Sequence, residues 1–247
     1  MSTYQTYERG GEPDLVYVKS EGREPTILFL GGFASDMDGT KATYLEEQCR
    51  KRSQAFLRFD YSGHGRSEGA FEEGTIGSWR QDALEMVDYC TDGPLIVVGS
   101  SMGGWIGLLV ALARPKRVQG LVGIAAAPDF TRWMKNKELS EAQLAELQEK
   151  GQTHLPNDYG DPYVITRNLI EDGENWSLLD NPIELGIPVR LLQGKQDTSV
   201  PWETAEHIAE KLTSEDVEVI LIDDGDHSLS RDQDLEVLSQ AVFQEAL

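Results

Sequence analysis

From residue 26 onward, short, nearly continuously apolar runs alternate with segments whose apolar positions recur every three or four residues. Thr26–Leu30, Ala55–Phe59, Leu95–Val98, Val118–Ala125, Val189–Gln193 and Val217–Ile222 are the runs. Continuous rather than alternating apolarity predicts strands of a parallel sheet covered on both faces. Between them, Ile76, Trp79, Ala83, Val87 and Cys90 recur at helical spacing behind Thr75, which suits an N-cap. Trp202, Ala205, Ile208 and Leu212 repeat the pattern behind Pro201, a residue that fits a first helical turn. Met102–Ala113 predicts a third helix, and Leu235, Leu238 and Val242 a C-terminal one. Thr3–Tyr7 and Leu15–Ser20 predict an antiparallel lead-in.

Strands alternating with helices predict an α/β fold with a mostly parallel central sheet and helices on both faces. One stretch breaks the rhythm. Between Pro128 and Pro188 no clear strand is visible, and the stretch is too long for an ordinary loop. Ser140-x-x-Gln143 reads as a capping box opening a short helix that ends at Gly151. Trp133, Tyr159, Tyr163 and Trp176 give the stretch apolar weight. The expectation is a core of residues 1–127 and 181–247 with a small helical cap inserted over residues 128–180.

Gly99-Ser100-Ser101-Met102-Gly103 lies between the apolar run Leu95–Val98 and the helix opening at Met102. This is G-x-S-x-G in the strand–turn–helix setting that gives it meaning. The chain must reverse sharply there, and side chains at positions 99 or 103 would crowd neighbouring backbone. The turn presents the Ser101 hydroxyl at the carboxyl edge of the sheet, where open α/β folds place ligands. A serine needs a base to be a nucleophile. Of the four histidines, His64 lies in a turn, His154 in the inserted stretch and His207 within a helix. His227 follows the last strand on the same edge as Ser101 and is the expected base. Asp197, after the strand Val189–Gln193, is the expected orienting acid, in the chain order Ser, Asp, His. Asp129 is a second candidate for that place, and Asp226 reads as a surface turn residue. The Met102 amide at a helix start and the Phe33 amide after Gly31-Gly32 are the expected donors to a developing oxyanion. Gly32 would let backbone approach the substrate, and the cap aromatics Trp133 and Trp176 are candidate substrate contacts. No histidine–acid cluster has metal spacing and no glycine-rich loop resembles a phosphate cradle, so neither metal nor cofactor is expected.

Composition narrows the partners. Acidic residues outnumber basic ones 43 to 22, for a formal charge of −21. Such a surface repels phosphate backbones and anionic lipid, so nucleic acid is not an expected partner. The longest apolar stretch, near Trp105–Ala113, is too short to span a bilayer, so stable membrane insertion is not expected either. Cys49 and Cys90 have no partner motif, and Met1–Glu12 lacks both an apolar run and an Arg-rich pattern. Together these lead to the expectation of a cytoplasmic protein.

Gly39-Thr40-Lys41, Arg58-Phe59-Asp60-Tyr61-Ser62-Gly63, Gly99-Ser100-Ser101-Met102-Gly103-Gly104-Trp105 and Val200-Pro201-Trp202 resemble the α/β-hydrolase superfamily. More narrowly, they resemble the family of mitochondrial acyl-protein (palmitoyl-protein) thioesterases, also described as mycophenolic acid acyl-glucuronide esterases. The resemblance implies a triad of Ser101, Asp197 and His227 with Phe33 and Met102 as oxyanion donors. It implies hydrolysis of small-molecule esters or thioesters, or of acylated protein. Arg132, Lys135, Lys137 and Arg167 are candidates to meet an acidic leaving group. C–C bond hydrolases, peroxidases and non-catalytic ligand-binding proteins on the same fold stay open as alternatives.

Overall fold

The computed structural model describes residues 3–156 and 162–245. Ten strands are described: β1 Tyr4–Tyr7, β2 Leu15–Ser20, β3 Arg23–Leu30, β4 Gln54–Phe59, β5 Leu95–Ser100, β6 Val118–Ile124, β7 Gln152–Leu155, β8 Tyr163–Thr166, β9 Val189–Gly194 and β10 Val217–Ile222. The helices are α1 Thr40–Lys51, α2 Ile76–Cys90, α3 Met102–Ala113, α4 Phe130–Trp133, α5 Glu141–Lys150, α6 Arg167–Asn175, α7 Glu203–Lys211 and α8 Asp232–Gln240. Eight strands form one sheet in the order β1-β2-β4-β3-β5-β6-β9-β10. β1 and β2 are the antiparallel lead-in, and every pairing from β4 to β10 is parallel.

Successive strand residues face opposite sides, and in the central strands both sides are largely dry, which is why the runs are nearly continuously apolar. Leu28, Leu30, Val97 and Leu121 pack with Trp79 of α2, Trp105 of α3 and Ile208 of α7. Their neighbours Ile27, Phe29, Val98 and Val122 pack on the other side with Leu45 of α1 and Leu238 of α8. The helix starts follow local chemistry. Thr75 accepts from the Ser78 amide and Ser140 from the Gln143 amide, both as capping boxes, and Gly151 closes α5 at φ 79°.

The stretch between β6 and β9 departs from the all-helical expectation. It holds α4, α5 and α6, but also the antiparallel hairpin β7–β8, which pairs Thr153 with Ile165 and Leu155 with Tyr163. Four-residue strands with exposed Gln152 and His154 carry too little apolar alternation to be read from sequence. Tyr159 lies outside the described residues. A small core of Met134, Leu139, Leu147, Ile165 and Ile170 holds this stretch together, with Phe33 and Phe130 packed against it.

Candidate active site

Ser101 joins β5 to α3 with φ 55° and ψ −118°, a conformation strained for any residue with a side chain. Three backbone hydrogen bonds hold it there: its amide donates to Ile124 O (2.9 Å), and the Gly104 and Ala127 amides donate to its carbonyl (2.9 and 3.1 Å). The flanking glycines serve close approach. A Cβ on Gly99 would stand 2.1 Å from Gly103 O, and one on Gly103 2.1 Å from Leu30 O. The expected crowding is therefore between backbones, with no flexible side chain to yield.

At the carboxyl end of β9, the Asp197 side chain is fully enclosed while the His227 side chain is 34% exposed. His227 Nδ1 lies 2.8 Å from Asp197 Oδ2. The same oxygen accepts from Gln193 Nε2 at 2.9 Å, and Oδ1 accepts from the Ser199 and Val200 amides, each at 2.8 Å. Burial works to raise the pKa of this carboxyl. The hydrogen bond and charge of His227, with the two amides, outweigh burial and hold it below the usual carboxylate value. With Asp197 ionised and accepting at Nδ1, His227 is held in the tautomer whose Nε2 is free to take a proton.

Gly32 borders the serine, for a Cβ there would lie 3.4 Å from Ser101 Cβ. Among the described residues, the Phe33 and Met102 amides donate to no protein acceptor. Nor do Ser101 Oγ and His227 Nε2 have a protein hydrogen-bond partner among them. The Phe33 ring is the centre of an aromatic group, with Phe71, Trp79, Phe130 and Tyr163 at centroid distances of 5.0–5.9 Å.

Other candidates have different surroundings. Asp129 accepts from Ser177 Oγ and from the Leu178 and Leu179 amides at 2.8–3.0 Å, so its carboxylate pins the chain after α6. Asp226 accepts from the Leu229 amide within its own turn. Trp133 is 44% exposed. Trp176 donates to Asp172, accepts from Trp105 Nε1 at its carbonyl, and lies under the Arg80 guanidinium. Arg132 is engaged by Glu174 and Asp180, and Arg167 faces Glu171. Lys135 and Lys137 are exposed. His154 is exposed on β7, and His207, half exposed on α7, faces Glu210. No group of metal-ligating side chains is found among the described residues.

Two positioning residues escaped the sequence reading. Gln193 is a fully buried amide at the end of the strand run that leads to Asp197, and a polar residue at that place is its signal. Lys41 of α1 donates to Ser228 O, beside His227, and burial pushes its ammonium down to about 8.

The comparisons bear on the fold and the family. The family model described as alpha/beta hydrolase fold matches residues 25–158. The human protein named palmitoyl-protein thioesterase ABHD10, mitochondrial, is 42% identical over 228 residues, covering 92% of this chain and 74% of its own length. The structure of mouse alpha/beta hydrolase domain-containing protein 10 superposes with TM-score 0.90 at 38% identity, covering 98% of this chain and 97% of that one. A putative hydrolase from Agrobacterium vitis S4 gives TM-score 0.94 at 37% identity over 100% and 99% of the two chains. The mitochondrial names of these curated relatives overturn the expectation of a cytoplasmic protein; cysteine usage and a short N-terminal stretch do not determine compartment. Among the described residues, no helix is long and apolar enough to cross a membrane. The chain belongs to the alpha/beta hydrolase fold family, as a hydrolase of the esterase and thioesterase type.

Proposed function

We propose that the chain cleaves acyl thioesters and activated oxygen esters, with Ser101 as nucleophile, His227 as general base and Asp197 as its orienting acid. The Ser101 hydroxyl proton passes to His227 Nε2 as Oγ bonds to the acyl carbon. The negative oxygen rests on the Phe33 and Met102 amides. Collapse of the adduct expels the thiolate or alkoxide, which takes the proton from His227. Water, deprotonated by His227 in its turn, attacks the acyl-serine and frees the acid. The observation that carries the reading is the Asp197–His227 pair at 2.8 Å, set at the same sheet edge as a strained serine flanked by two undonated amides.

The palmitoyl-protein thioesterase name of the relatives supports a long acyl chain on a thiol leaving group. The aromatic group around Phe33, beside Gly32, supports an apolar acyl site. Trp133 and Trp176 are carried as outer contacts of that site, within a cap assigned to residues 128–180 between core segments 1–127 and 181–247. The chain's charge supports the exclusion of nucleic acid as a partner.

A fluorophosphonate probe should label the wild-type protein and fail on Ser101→Ala. kcat/KM measured side by side should rank a palmitoyl thioester above a short p-nitrophenyl ester and an acyl glucuronide. Wild-type esterase activity in Ser101→Ala would overturn the mechanism, and a reversed ranking the substrate class.

A further inference from the structure

His64 is a buried imidazole that the proposed reaction does not use. It lies in the loop after β4, ringed edge-on by Tyr61, Phe71 and Trp79 at centroid distances of 5.1–5.6 Å. Its two nitrogens have different partners. Nε2 lies 3.2 Å from the amide of Ala34, and Nδ1 lies 3.2 Å from the carbonyl of Ser62. A backbone amide can only donate and a carbonyl only accept, so one protonation state satisfies both: neutral, with the hydrogen on Nδ1 and a lone pair on Nε2. Burial keeps the ring in that state, lowering its pKa to about 4.

Ala34 directly follows Phe33 and has φ 53°, a left-handed conformation that needs outside support in a residue with a side chain. The same neighbourhood grips the loop a second time. Asp60 Oδ1 accepts from the Met37 amide at 2.6 Å, and Arg58 Nη1 donates to the Met37 carbonyl at 2.8 Å. Those bonds fix the far end of the loop. The Ala34 bond fixes the peptide next to the Phe33 amide.

We propose that His64 is a positioning residue for the oxyanion site: its Nε2 lone pair holds the Ala34 peptide so that the adjacent Phe33 amide faces the developing anion. The inference rests on Phe33 as donor, as proposed above. An acceptor is what the position requires. Filling the space with a hydrocarbon of similar size leaves the Ala34 amide without its acceptor and the left-handed turn free to relax. The loss then falls on the transition state, in which the oxygen is charged, more than on the bound substrate.

His64→Leu and His64→Gln separate acceptor from bulk, since glutamine retains a side-chain oxygen and leucine has none. His64→Leu is expected to lower kcat by roughly 10–100-fold with KM changed less than about threefold, and to weaken a trifluoromethyl-ketone mimic of the tetrahedral adduct in parallel. His64→Gln is expected to recover most of that loss. Equal loss in both variants, or loss confined to KM, would overturn the positioning role in favour of simple packing. Nitrogen NMR of the imidazole in the wild-type protein tests the same point without a substitution. A protonated Nδ1 with a bare Nε2 at neutral pH supports the proposal, and the opposite tautomer overturns it. Ser101→Ala, run alongside, tests the nucleophile by itself, so failure of the His64 role leaves the hydrolytic reading standing.

Discussion

A carboxylate that accepts hydrogen bonds from Gln193, Ser199, Val200 and His227 has little freedom to turn, and Asp197 is such a group. Asparagine in its place would set an NH₂ against one of these donors and favour the wrong imidazole tautomer. Asp197→Asn should therefore cost on the order of 10³–10⁴ in kcat with the fold kept, as circular dichroism beside steady-state kinetics would check. The pH dependence has a definite sign. The folded pKa of Asp197 is depressed, so its ionisation stabilises the fold above the unfolded value of about 3.9 and ceases to do so as pH falls through the folded value. The stability difference between wild type and Asp197→Asn should thus shrink below about pH 4 in urea titrations. At this scale the sequence was informative because Ser101, Asp197 and His227, the residues of the proposed triad, each sit in a short local pattern at a strand end. What could not be read is a bond such as Ala34 to His64, which joins residues thirty positions apart through a fold not yet built.

Elements were legible where burial was two-sided. β4, buried at every position, gains only Gln54 over its run, while β10, a partly buried edge strand, still has the range its own run predicts. The hairpin β7–β8 and α6 were not, because so few of their residues face a core: α6 buries only Leu169, Ile170 and Gly173. The close crossing of α3 over β3 and β5 has its own liability. Gly103→Ala would drive a Cβ to 2.1 Å from Leu30 O, forcing helix and strand apart. A loss of about 1–3 kcal/mol or more is expected in equilibrium unfolding, with activity falling as the serine turn shifts. Thr75→Ala should cost about 1 kcal/mol through the lost α2 cap and leave the kinetics nearly unchanged.

A formal charge of −21 on 247 residues means that like charges oppose compaction across the whole molecule. Raising sodium chloride from about 0.05 M to about 0.5 M should raise Tm, since the screening length then shortens to a few ångströms. Calorimetry at fixed pH would test it, and a Tm that falls with salt would contradict the account. The chain folds round two enclosed thiols; burial pushes Cys49 up to about 12 and raises Cys90 as well. A disulfide-exchange reagent should find neither in the native protein and both after denaturation. At Phe33, one residue joins two parts of the molecule. Its amide serves the charge-bearing side of the proposed reaction, while its ring is wedged against Tyr163 of the β7–β8 hairpin and Phe130 of α4. Selectivity and rate are then not independent variables in this scaffold. Anyone recarving the aromatic wall to admit a bulkier guest would also move the peptide on which turnover depends, and a library screened for altered preference should return variants that are mostly slow.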